Sequence, residues 1–180
     1  MKGETALFED KKEKVLFSRE EINNRVREMG KEISRDYKGK DLVIVSLLRG
    51  SFIFTADLAR EMDIPVEIDF MTTASYGHAE VSSGRVEILQ DIRGEIKGKC
   101  VLIVDDIIDS GHTLLRVVEH LGEKGADSIK ICVMLDKPSR RQVDLMPDYV
   151  GYEIPDVFIV GYGLNYGDYY RNIPYIFTFE

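Results

Sequence analysis

The sequence predicts an α/β domain, a central parallel sheet flanked by helices. Three observations carry that expectation. Strand-length runs such as Leu42 to Leu48, Val101 to Val104 and Ile129 to Leu135 are apolar almost throughout, the pattern of strands buried on both faces. Between these runs, apolar residues recur at helical spacing. Finally, Val101 to Thr113 passes from strand to helix through an acidic turn and a string of small residues. Strands interleaved with helices imply right-handed crossovers, with ligand loops at the strands' carboxyl ends.

The length of 180 residues suits a single domain, residues 1–180, with a substantial core. Hydrophobic residues at 44% and charged residues at 31% describe a globular chain, and a net charge of -8 argues against nucleic acid as the main partner. Cys100 and Cys132 lie beside apolar runs and read as buried thiols. With no cysteine framework, signal peptide or membrane-spanning run, the expected compartment is the cytoplasm, with no membrane partner.

Residues 1–17 are charged and mixed apart from Val15-Leu-Phe17. Ser18 followed by Glu21 fits a capping box, and Ile22, Val26, Met29 and Ile33 then share one helical face, ending near Gly39. Asp41 to Leu48 reads as a buried strand, followed by Arg49-Gly50-Ser51 and a helix from Phe52 to Met62. Ile64 to Met71 reads as a strand. The small, polar stretch Thr72 to Gly84 is long for a connector, which favours a functional lid. Arg85 to Leu89 returns as a strand, and residues 92–99 turn into the central motif.

That motif supplies Asp105, Asp106 and Asp109, then Ser110, Gly111, His112 and Thr113, then the helical positions Leu114, Val117, Val118 and Leu121. Small residues at a helix start let backbone N–H groups converge on an anion, and the helix dipole adds to the attraction. Carboxylates just upstream suit sugar hydroxyls or a hydrated Mg²⁺. Ser128 to Leu135 is a further strand, closed by Asp136-Lys137-Pro138, and Val157 to Val160 reads as a last core strand. The glycines at 161, 163 and 167 are spaced one residue too long for a dinucleotide fingerprint, and too few residues follow for a βαβ unit.

Val104-Asp-Asp-Ile-Ile-Asp-Ser-Gly-His-Thr113 resembles the phosphoribosyl-diphosphate (PRPP) motif of type I phosphoribosyltransferases, in particular their hypoxanthine-guanine branch. Ser75-Tyr76, Asp136-Lys137 and the stretch from Val157 to Arg171 are similar to that branch too, so the resemblance spans roughly residues 8 to 178. It implies a small hood built from the chain termini. It also implies Mg²⁺-dependent transfer of ribose 5-phosphate from PRPP to N9 of hypoxanthine or guanine, with release of diphosphate, in a homodimer or homotetramer.

The resemblance assigns roles residue by residue. Asp105 and Asp106 would hold ribose hydroxyls and, through water, the metal; Asp109 would be the general base at N7. Ser110, Gly111, His112 and Thr113 would cradle the 5′-phosphate, and Arg49, Gly50 and Arg171 the diphosphate. In that family the peptide at the Leu48–Arg49 position is often cis. Lys137 would donate to the purine O6, Phe158 would stack on the base, and the backbone of Ile159 would read its C2 edge. Ser75 and Tyr76 would belong to the closing lid. One position departs from the pattern: Asn165 stands where the family has a metal-holding Asp, which weakens that part of the metal site. Two other readings stay open, a PRPP-sensing regulator on the same fold and a receiver-like phospho-acceptor suggested by Asp105-Asp106. Only one helix precedes the first buried strand, too little for a winged-helix DNA reader, and a receiver would have no use for a lid or for Lys137 and Phe158.

Overall fold

The computed structural model describes residues 12–75 and 86–180. Its sheet is built from β2 (Leu42–Leu48), β3 (Glu67–Ser75), β4 (Val86–Gln90), β5 (Cys100–Ile108), β6 (Ser128–Asp136) and β7 (Tyr149–Glu153), in the spatial order β4-β3-β2-β5-β6-β7. All neighbours run parallel except β3 and β4, which form an antiparallel edge. The helices are α1 (Arg19–Asp36), α2 (Phe52–Arg60) and α3 (His112–Glu123).

Alternation along the strands sorts the core into two layers, because successive side chains point to opposite faces. Ile44, Leu102, Val104, Cys132 and Met134 pack with Ile22, Val26, Met29 and Ile33 of α1 and Phe54 and Leu58 of α2. Val43, Val45, Val101, Ile103 and Val133 pack with Leu114, Val117 and Leu121 of α3. Each of Val101 to Val104 is fully buried, so both faces of β5 contribute, at about 1.5–3 kcal/mol per side chain. This is why β5 reads as a continuous apolar run.

The start of α1 is the capping box that the sequence predicts: Ser18 Oγ accepts from the Glu21 N–H at 3.3 Å, and the Glu21 carboxylate accepts from the Ser18 N–H at 2.8 Å. The two ends of the chain pair as β1 (Glu13–Phe17) and β8 (Ile176–Phe179), an antiparallel ribbon that forms the expected hood. Among the described residues, no helix is long and apolar enough to cross a membrane.

One expectation is corrected. Val157 to Val160 is not a sheet strand; only Val160 makes a bridge, to Phe177 of the hood. The apolar run arises because Ile159 and Val160 are buried while Phe158 is left 54% exposed. The sheet ends instead with β7. In addition, β3 begins later than expected and runs on to Ser75.

Candidate active site

The parallel strands deliver their functional residues from their carboxyl ends, where α/β sheets bind ligands. The turn after β2 carries Arg49 and Gly50, reached through a cis peptide between Leu48 and Arg49. A buried hydroxyl cluster fixes this turn. Ser46 Oγ lies 2.9 Å from Ser51 Oγ and 2.8 Å from Thr55 Oγ1, and Ser51 Oγ donates to the Leu47 carbonyl at 2.6 Å. The turn is thereby tied both to β2 and to α2.

Asp105 and Asp106 lie in the carboxyl-terminal half of β5. Asp105 Oδ1 accepts from the Asp106 N–H at 3.0 Å and Asp106 Oδ1 from the Ile107 N–H at 2.9 Å, bonds that orient both carboxyl groups. The residues keep some solvent contact, but their carboxyl groups lie deep among protein atoms. Burial, and then the neighbouring Asp106 charge, pushes the Asp105 carboxyl well above the usual carboxylate range. Burial raises Asp106 too, against the opposing pull of its hydrogen bonds and Arg171.

Asp106 packs directly on Gly50, where an added Cβ would stand 1.7 Å from the carboxylate oxygen. Gly163 packs on the other side of the same turn, with space for a Cβ denied by the Gly50 carbonyl at 2.1 Å. Arg171 Nη1 donates to the Gly163 carbonyl at 2.6 Å. Burial first, and the like charge of Arg49 second, pull its guanidinium below its usual range, while Asp106 and Asp168 oppose them. Arg49, Arg171, the acidic pair, Gly50 and Gly163 therefore gather at one corner.

Asp109 to Thr113 follow β5 as the turn into α3. Gly111 sits at the helix N-cap with φ +88°, a left-handed conformation that glycine adopts without a Cβ penalty. The first helical bond runs from the Leu115 N–H to the Gly111 carbonyl, so the N–H groups ahead of it stand at the positive end of the dipole. His112 Nε2 lies 3.2 Å from Gln142 Oε1, and the Gln142 N–H donates to the Ser110 carbonyl at 2.9 Å. This brace comes from the segment after β6.

Lys137, at the end of β6, is buried and donates from Nζ to the Val157 carbonyl at 2.7 Å. Phe158 follows Val157 in the chain, and its exposed ring meets Tyr166 edge-on at 5.5 Å between centroids. Ile159, next in the chain, is buried with its side chain in the α1/α2 core layer. Asn165 turns its amide to donate to the Gly167 carbonyl. Of the expected lid pair, Ser75 closes β3 opposite Val86, and Tyr76 lies outside the described residues.

Sequence reasoning missed several residues that hold this site. Arg141 is buried with Asp136 in an ion pair and also donates to the carbonyls of Asp109, at 3.0 Å, and Leu145. Arg140 reaches Asp109 Oδ1 at 3.2 Å. Tyr162, at φ +50°, donates its hydroxyl to Asp57 of α2 at 2.8 Å. None had a local signal beyond being polar residues in loops or helix surfaces.

The crowded carboxylates beside the Arg171 guanidinium, itself near Arg49, suit a hydrated divalent cation bound together with a polyanion. Among the described residues no three His, Cys, Asp or Glu gather around one point. A cation there would take its other ligands from water or substrate oxygens, the usual manner of Mg²⁺.

The comparisons with known proteins agree with this geometry. The phosphoribosyl transferase domain matches residues 16–167, and the chain belongs to that family. Its likeness runs to the hypoxanthine and hypoxanthine-guanine branch. It is 51% identical over 164 residues to the hypoxanthine phosphoribosyltransferase of Salmonella typhimurium, covering 90% of this chain and 92% of that one. It is 48% identical over 164 residues to the hypoxanthine-guanine phosphoribosyltransferase of Bacillus subtilis, covering 91% of each. The crystal structure of a Staphylococcus aureus hypoxanthine phosphoribosyltransferase superposes with a TM-score of 0.90 at 44% identity, over 93% of this chain and 91% of that one.

Proposed function

We propose that this pentosyltransferase moves the 5-phosphoribosyl group from PRPP to N9 of hypoxanthine or guanine in purine salvage. The observation that carries the base class is Lys137: a buried ammonium held at the Val157 carbonyl, next in the chain to Phe158 with its exposed ring. An ammonium donates and never accepts, so it satisfies a 6-oxo group and leaves a 6-amino group unpaired.

In the reaction N9 forms its bond to C1′ of the ribose as the C1′–oxygen bond to diphosphate breaks, and the leaving oxygen takes the electron pair. The N7 proton passes to the Asp109 carboxylate, which needs only hydrogen-bond reach. Backbone N–H groups from Ser110 to Thr113 hold the 5′-phosphate, and Asp105 and Asp106 hold the ribose hydroxyls. Arg49 and Arg171 face the diphosphate as its charge develops. Asp105 and Asp106, with Asn165 as a weak contributor, would hold a Mg²⁺, and the bound ion would supply further charge neutralisation to the diphosphate. The backbone of Ile159 meets the C2 edge, and Ser75-Tyr76 belongs to the closing loop. The working form is a cytosolic homodimer or homotetramer.

Nucleotide formation from PRPP and Mg²⁺ with hypoxanthine, guanine, xanthine and adenine offered separately tests the proposal. Turnover of 6-oxopurines, with adenine poorer by on the order of 10⁴-fold, is the expected result. Comparable use of adenine and hypoxanthine would remove the role given to Lys137.

A further inference from the structure

Four charged side chains of alternating sign run from the Asp109 carboxylate to the Lys137 ammonium. Arg140 Nε lies 3.2 Å from Asp109 Oδ1, and its Nη1 lies 3.5 Å from Asp156 Oδ2. The other oxygen of Asp156 is 3.8 Å from Lys137 Nζ, which in turn donates to the Val157 carbonyl at 2.7 Å. Asp156 thus gives one oxygen to each cation. The backbone repeats the linkage: the short 3₁₀ turn Pro138–Arg140 closes with the Arg140 N–H on the Lys137 carbonyl at 3.1 Å, and the Lys137 N–H bonds the Ile108 carbonyl beside Asp109 at 3.0 Å.

We infer that Arg140 and Asp156 are positioning residues that set the spacing between the carboxylate that meets purine N7 and the ammonium that meets O6. The inference rests on the roles given to Asp109 and Lys137 above. N7 and O6 lie on one edge of a 6-oxopurine, so both readers must reach it together. Asp109 and Lys137 come from different strands, and Arg140 with Asp156 is the side-chain link between them. Arg140, Asp156 and Asp109 are 54%, 52% and 45% exposed, so the link contributes little to folding. What it contributes is aim, and small misplacements of a reacting group are costly.

Ligands with and without N7 separate the two ends of the link. Hypoxanthine engages both readers, whereas 7-deazahypoxanthine keeps O6 and carries a C–H in place of N7. In Arg140→Gln, kcat/KM for hypoxanthine is expected to fall by about tenfold. Inhibition by 7-deazahypoxanthine, the KM for PRPP and the melting temperature should all stay unchanged. Arg140→Lys should recover part of the loss. Asp156→Asn should weaken hypoxanthine and 7-deazahypoxanthine together, because it acts on Lys137 as well. Equal weakening of both ligands and of PRPP in Arg140→Gln, or no change in any, would overturn the inference. Asp109→Asn is the control. If it loses turnover while Arg140→Gln keeps kcat/KM, the positioning role alone fails; if it keeps full turnover, the assignment beneath it fails too.

Discussion

Gly50 and Asp106 are in such close contact that a single methyl group on the glycine would overlap the carboxylate oxygen, at 1.7 Å. The neighbour that must yield is the end of a side chain rather than backbone, so Gly50→Ala should fold. It should also move the Asp106 carboxylate out of the corner it shares with Arg171. We expect kcat/KM for PRPP to drop by on the order of 100-fold with the melting temperature nearly unchanged. Steady-state kinetics beside a thermal melt would check it, and a matched loss of both would assign Gly50 to folding instead.

Arg141 is the reverse case, a residue whose contacts brace the loop. Its guanidinium is buried with Asp136 and holds the Asp109 and Leu145 carbonyls. Arg141→Ala leaves the Asp136 carboxylate buried without its partner, a change that costs about 3–5 kcal/mol. Urea unfolding should show the loss as a lower midpoint at constant slope.

Asp69 predicts a pH effect with a definite sign. Its carboxylate accepts from the N–H groups of Phe70 at 2.8 Å, Arg93 at 2.7 Å and Gly94 at 2.8 Å, fastening the β4–β5 connection to β3. Burial pushes its pKa up, but these bonds outweigh it and hold the carboxyl below its ordinary 3.8. The stabilisation is therefore complete above 3.8 and is lost as pH falls through the folded-state value. Asp69→Ala should cost about 1–2 kcal/mol at neutral pH and progressively less in acid. A difference that does not shrink in acid would refute the account.

Asn165 donates its amide to the Gly167 carbonyl, a bond that a carboxylate cannot make. Asn165→Asp should release that turn and add a negative charge at the position to which the resemblance gives a metal-holding Asp. The expected result is half-maximal activity at a several-fold lower Mg²⁺ concentration. Identical Mg²⁺ titrations would show that the metal does not meet this position.

The parts legible in the sequence are those that local pattern encodes. Cys100 to Ile108 is apolar on both faces until its first carboxylate, because both faces are buried; the Ser18–Glu21 cap needs only four neighbouring residues. The hood strands β1 and β8 have no such signature, since Glu13 meets Phe179 only after the whole chain has folded back. Val157 to Val160 misled for a related reason: burial beneath a hood gives the same apolar letters as burial in a sheet. Arg140 and Arg141 are adjacent in sequence yet one reaches the half-exposed Asp109 and Asp156 and the other turns to the interior, a division that only the placement of Asp109, Asp136 and Asp156 decides.

The bridge between Val160 and Phe177 has a consequence for the order in which the molecule becomes competent. Synthesis proceeds from the amino end, and the turn between β5 and α3 leaves the ribosome well before Phe177 does. The platform at Phe158 and Ile159 has no β-bridge to rest on until that last strand arrives to meet β1. A nascent chain thus completes the β5–α3 turn first and the Phe158–Ile159 segment last, when β8 finally reaches β1.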